Sequence, residues 1–157
     1  VTFDRVFAVT SEFINKEYAF MGDISPHFSK EDFTCKCGCG QNWIKASLIV
    51  ALEKLRMLGP EPIFVLSGYR CAKDNSAAGG VGHSQHMEGT AADLRITGLT
   101  LQQMYDRAKQ VPEFLRGGIG VYEDSFIHVD VRDGAARWSR KYGSTGKYGG
   151  LGDLVKA

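Results

Sequence analysis

Gly82-His83-Ser84-Gln85-His86-Met87-Glu88-Gly89-Thr90-Ala91-Ala92-Asp93 sets a histidine and an aspartate seven residues apart, across a glycine-containing turn that leads into an apolar run. Ser125-Phe126-Ile127-His128-Val129-Asp130 adds a histidine on an alternating stretch that reads as a strand. Two imidazoles and one carboxylate are the three protein ligands that a catalytic zinc commonly takes, with water in the fourth position. His86, Asp93 and His128 are therefore the candidate ligands. His83 competes with His86, because either can reach an ion from the turn. A lone histidine is more often structural; the pairing with Asp93 and the second histidine on a strand reverse that preference.

Working outward, residues 90–96 read as a strand with Ala91, Asp93 and Arg95 on one face and Ala92, Leu94 and Ile96 on the other. Residues 117–122 and 126–131 read as two strands joined by a turn at 123–125. On the second, Phe126, His128 and Asp130 share a face while Ile127, Val129 and Val131 point to the core. Residues 62–67 read as a buried strand that ends at Gly68-Tyr69-Arg70, which puts Arg70 at the mouth of the strand.

Helical spacing of Leu48, Ile49, Leu52, Leu55 and Leu58 predicts a core helix over 45–58, stopped by Gly59-Pro60. A short helix is expected over 72–78. Thr100 and Gln103 form a capping box for a helix to about residue 110, which Pro112 ends, and Ser29 with Asp32 caps a single turn. These elements make an α+β fold, a small and mainly antiparallel sheet with helices against one face. Residues 1–28 are expected to be an N-terminal arm, 29–138 the core and 139–157 an irregular, basic, glycine-rich tail.

At 157 residues the chain is most simply one domain, able to bury a core without help from metal or disulfides. An apolar fraction of 43% and a charged fraction of 24% suit a water-soluble globular protein, and a net charge of +1 gives no general drive toward nucleic acid or membrane. Arg132, Arg137, Arg140, Lys141, Lys147 and Lys156 outnumber Asp133 and Asp153 near the end, which reads as a solvated basic tail. No apolar run reaches the ~18 residues of a transmembrane helix. The N-terminus lacks the pattern of a secretory signal, so export by a signal peptide is not expected. A monomer is expected.

Several chemistries are excluded. There is no HExxH, Gly82-His83-Ser84-Gln85-His86 lacks the closing glycine of a nucleophile elbow, and Gly143-Ser144-Thr145-Gly146-Lys147 is too short for a phosphate loop. The cysteines stand at 35, 37, 39 and 71. Alternate cysteines on one short segment do not easily all ligate one ion, so disulfides tying the 35–39 segment to Cys71 are expected ahead of a structural zinc or free thiols. Disulfides would imply an oxidising place of action.

The string Ser84-x-His86-x-x-Gly89-x-Ala91-x-Asp93, preceded by Ser67-Gly68-Tyr69-Arg70 and followed by His128-x-Asp130, resembles the zinc D-Ala-D-Ala carboxypeptidases and their peptidoglycan endopeptidase relatives. These share a fold with the hedgehog signalling domain. The likeness runs from about His27 to Trp138, and the cysteine-rich segment resembles one bacterial and phage branch.

The resemblance implies that His86, Asp93 and His128 bind zinc, that Arg70 stabilises the oxyanion or grips a substrate carboxylate, and that Ser84 orders the site. It implies a zinc metallopeptidase acting on peptidoglycan peptides at the bacterial cell wall, extracytoplasmic or delivered by phage. The enzyme would trim a terminal D-Ala or cut a cross-link, in wall remodelling or phage lysis. One position departs from the family pattern. Where members carry an acid three residues before the last ligand, this chain has Ser125, and where some carry histidine it has Phe126. Asp130 is then the first choice for general base, unless it only orients a ligand; Asp124 is second and Glu88 third. The rival reading is a peptidoglycan-binding module that keeps zinc without catalysis, and a further one is a structural particle protein that holds no stoichiometric zinc.

Overall fold

The computed structural model describes residues 22–141 and 148–157. Most of the expected N-terminal arm, residues 1–21, and residues 142–147 of the expected tail lie outside that range. The chain forms an α+β fold in which helices α1 (Lys30–Phe33), α2 (Ala46–Arg56), α3 (Ala72–Ala77), α4 (Leu101–Ala108) and α5 (Pro112–Arg116) accompany one sheet. Its strands are β1 (Ile63–Ser67), β2 (Ala91–Ile96), β3 (Gly118–Tyr122), β4 (Phe126–Asp130), β5 (Ala136–Arg140) and the two-residue β6 (Tyr148–Gly149), in the order β1-β2-β4-β3-β5-β6. The β3–β5 pair is parallel and the other neighbours are antiparallel. After β4 the chain steps over the end of β3 through residues 131–135, turning at Gly134 with φ +90°. β5 therefore runs beside β3 in the same direction.

Local chemistry sets the helix starts. The Ser29 N–H donates to Asp32 Oδ2 at 2.7 Å. Thr100 N–H donates to Gln103 Oε1 at 2.9 Å while the Gln103 N–H donates back to Thr100 Oγ1 at 3.2 Å, the reciprocal capping box. One face of the sheet is apolar. Ala92, Leu94, Ile96, Ile119, Val121, Ile127 and Val129 join Leu48, Leu52 and Leu55 of α2, Met104, Tyr105 and Ala108 of α4, and Phe114 of α5 in a single buried cluster. Each fully buried leucine or phenylalanine there is worth roughly 1.5–3 kcal/mol. The opposite face is left for Asp93, His128 and Asp130.

Four expectations need correction. The strand at 62–67 is not buried: Phe64 is 60% exposed and Leu66 37%, because β1 has one neighbour, β2, among the described residues. Pro112 does not merely end a helix but opens α5 as its first residue, where a missing N–H costs nothing. The stretch expected to be irregular, 139–157, carries the end of β5, β6 and a 3-10 turn at Leu151–Asp153. The expected disulfides are not formed. Cys35, Cys37, Cys39 and Cys71 are thiols, and the Cys35–Cys37 and Cys37–Cys71 sulfurs are each 3.5 Å apart, against about 2.0 Å for a bond. Among the described residues, no helix is long and apolar enough to cross a membrane.

Candidate metal centre

Pairing of β2 with β4 sets Asp93 directly opposite His128, and period-two alternation turns both side chains to the same face. His86 comes from the turn before β2. That turn is closed by Met87 N–H on Ser84 O at 3.0 Å and Thr90 N–H on Gln85 O at 3.0 Å, and the Arg70 N–H donates to His86 O at 3.2 Å. Gly89 is required within it. Its φ is +70°, and a Cβ would lie 1.8 Å from Trp43 O. Ser84 is buried, and its Oγ accepts the His86 N–H at 3.3 Å.

Three ligand atoms converge. His86 Nε2 lies 3.2 Å from Asp93 Oδ1 and 3.2 Å from His128 Nδ1, and His128 Nδ1 lies 3.0 Å from Asp93 Oδ1. The outer atoms of the rings fix their tautomers. His86 Nδ1 is 2.7 Å from Gly68 O, which only accepts, so this nitrogen carries the proton. His128 Nε2 is 2.9 Å from Asp130 Oδ2 and donates in the same way. In the neutral rings both inward nitrogens therefore present lone pairs, beside a carboxylate oxygen that can only accept. Such a cluster needs a cation or a proton at its centre. A tetrahedral zinc with bonds of ~2.0–2.1 Å would space its ligand atoms about 3.3 Å apart, close to the observed triangle, so these residues can hold a metal ion.

The electrostatics agree. Burial would raise the Asp93 carboxyl, but the charges and hydrogen bonds of His86 and His128 hold it well below the usual range. Burial lowers the affinity of His86 for a proton. For His128, burial also acts downward, but the hydrogen bonds to Asp130 and Asp93 outweigh it and push the ring up.

Asp130 is fully buried. Besides His128 it accepts the Gly118 N–H at 3.0 Å, the Arg132 N–H at 3.1 Å, Arg132 Nε at 2.8 Å and Arg132 Nη2 at 2.6 Å. Burial would raise its carboxyl; His128 and Arg132 hold it well below the usual range. All of these donors fall on the carboxylate that was the expected first choice for general base. Asp124 and Glu88 are exposed, and neither they nor Asp130 line the cleft into which the centre opens.

That cleft, of about 330 Å³, is walled by Arg70, residues 78–81, His83, Ser84, Gln85, Tyr122, Phe126, Arg132, Trp138 and Arg140 around His86, Asp93 and His128. Arg70 is clamped, its Nη2 donating to Asp93 Oδ2 at 2.5 Å and its Nε to Ser67 Oγ at 2.9 Å. His83, the competitor for the ligand position, stands in the wall instead.

Sequence reasoning missed Trp138. Its ring centroid is 5.0 Å from that of His128, and its Nε1 donates to Tyr122 Oη at 3.2 Å. Room for the indole comes from Gly120, where a Cβ would meet it at 2.3 Å. A glycine inside a strand was the available signal. Arg132, two residues past Asp130, was another, as the counter-charge of a buried acid.

A Haemophilus influenzae protein described as a probable peptidoglycan L,D-endopeptidase, MepK, is 38% identical to this chain over 75 residues, covering 44% of the chain and 39% of the relative. The chain thus spans about two fifths of the relative's length. The model of the peptidase M15 family matches residues 26–130. The match takes in the turn, both ligand-bearing strands and the carboxylate behind His128, and the chain belongs to the peptidase M15 family.

Proposed function

We propose that the chain is a zinc-dependent peptidase that hydrolyses an amide bond in the peptide part of peptidoglycan, acting at the bacterial cell wall. The observation that carries this is the convergence of two imidazole lone pairs and a carboxylate oxygen within 3.2 Å on the wall of an open cleft. His86, Asp93 and His128 would hold the ion. When bound, zinc supplies Lewis acidity that polarises the amide carbonyl and lowers the pKa of water toward about 7. Gly68 and Asp130 keep the ring nitrogens facing the ion unprotonated, a role that typically changes metal affinity 10–100-fold. Arg70 fixes the Asp93 carboxylate and brings a positive charge to the cleft where the carbonyl oxygen becomes negative.

Proton transfer needs a group in the cleft. The ligands aside, His83 brings to the wall an imidazole, whose two nitrogens can accept and donate a proton, so it takes the role first expected of Asp130. His83→Gln should lower kcat by ~10²–10⁴ without loss of metal. Unchanged kcat would remove His83 from the mechanism. Asp130 becomes a positioning residue.

Internal cleavage is the favoured reaction, by similarity to the relative described as an L,D-endopeptidase. Removal of a terminal residue is the second reading, favoured by the positive charge that Arg132 and Arg140 bring to the wall, which would attract a terminal carboxylate. Incubation with purified sacculi, followed by mass spectrometry of the released peptides, tests both. New amine and carboxyl ends, abolished by a chelator, are expected. Intact peptides despite a full complement of zinc would favour a binding module without catalysis.

A further inference from the structure

The loop between α1 and α2 carries Cys35-Lys36-Cys37-Gly38-Cys39-Gly40, and alternation along an extended chain would point its thiols to one side but spread them along it. The backbone is not extended. Gly38 at φ +85° and Gly40 at φ +74° curl it through the left-handed region, where a Cβ would be strained, and the Cys35 N–H closes the loop on Gln41 O at 2.7 Å. Cys71, at the start of α3, reaches the same point from the end of β1, and its N–H donates to Cys35 Sγ at 3.4 Å.

All four sulfurs lie within 4.8 Å of one another, with the Cys35–Cys37 and Cys37–Cys71 pairs at 3.5 Å. A tetrahedral zinc with Zn–S bonds of ~2.3 Å would space its sulfurs about 3.8 Å apart. The 3.5 Å separations fall within about 0.3 Å of that edge and are far longer than a disulfide. Four thiols on one point also suit a soft metal better than they suit any pair of bonds among them.

We propose that Cys35, Cys37, Cys39 and Cys71 bind a second, structural zinc ion, distinct from the centre at His86, Asp93 and His128. Binding displaces the thiol protons and leaves no open coordination position, so this ion holds structure and does no chemistry. What it clips is relevant to the cleft. Cys71 follows Arg70, Tyr69 N–H donates to Phe33 O at 2.9 Å, and Arg70 N–H donates to His86 O at 3.2 Å. The ion would tie the loop after α1 to the strand end that aims Arg70 at Asp93.

The test uses the whole chain, purified without added reductant. Elemental analysis should give two zinc ions per chain in the wild type and one in His128→Ala. Cobalt substituted into His128→Ala should show sulfur-to-metal charge-transfer absorption in the near ultraviolet, and that band should be lost in Cys39→Ser. Thiol titration of the denatured, metal-stripped wild type should count four sulfhydryls. The proposal is overturned if His128→Ala holds no zinc and shows no such band, or if the titration counts two sulfhydryls or none, which would mean disulfides. Because the band is read in His128→Ala, it stands even if Cys39→Ser does not fold. The proposed function fails separately, by absence of the zinc that His128→Ala should lose.

Discussion

Asp130→Asn separates two roles for one carboxylate. The substitution keeps shape and volume, and the amide oxygen can still accept from the Gly118 and Arg132 N–H groups that Asp130 Oδ1 accepts now. Its NH₂ replaces the oxygen that takes the His128 Nε2 proton at 2.9 Å. Two donors cannot face each other, so the ring proton moves to Nδ1, the atom 3.0 Å from Asp93 Oδ1 and 3.2 Å from His86 Nε2. Zinc affinity should fall about 10–100-fold, which is roughly 1.4–2.7 kcal/mol. The lost charge pairing with Arg132 should add a fall in stability on the order of 1–3 kcal/mol. Chelator competition gives the zinc Kd, and kcat is then measured at saturating zinc. A weaker Kd with much of kcat recovered at saturation is expected. An unchanged Kd with kcat collapsed would refute a positioning role and make Asp130 the general base.

Arg70→Ala should abolish most turnover and loosen zinc modestly, because Asp93 loses the 2.5 Å contact that fixes it; wild-type kcat in the variant would remove Arg70 from the mechanism. Gly89→Ala forces a left-handed side chain against Trp43 O, and calorimetry should find at least about 2 kcal/mol of destabilisation. Burial would raise the Glu113 carboxyl, yet its ion pair with Lys54 holds it below the ordinary 4.5. A depressed pKa contributes stability above the unfolded value, lost as pH falls through the folded one. Wild type should therefore outlast Glu113→Gln in urea at neutral pH, with the gap closing below about pH 4.5; a gap independent of pH would show that charge is not its source.

How far the site could be read in advance depended on whether each contact was local or crossed strands. Alternation in residues 91–96 and 126–130 put Asp93 and His128 each on the polar side of a half-buried strand, because Leu94, Ile127 and Val129 demand the other side. Their exact opposition depends on the β2–β4 register, which no single strand encodes. Of the partners of Asp130, Arg132 is two residues away and was legible, whereas the Gly118 N–H arrives across the β3–β4 pair and was not. Trp138 was hidden on Ala136–Arg140, whose alternation rests on Ala136 and Trp138 alone and which becomes a strand through its parallel pairing with β3. The convergence of the cysteines was not legible because it depends on the left-handed turns at Gly38 and Gly40 and on Cys71 arriving from the end of β1.

His128 is the residue on which the proposed chemistry depends. Zinc content and the rate of peptidoglycan peptide cleavage, measured together on wild type and His128→Ala, test it most directly. Loss of one zinc ion per chain together with loss of cleavage is the predicted result. A variant that keeps its full zinc content and cleaves at the wild-type rate would contradict it.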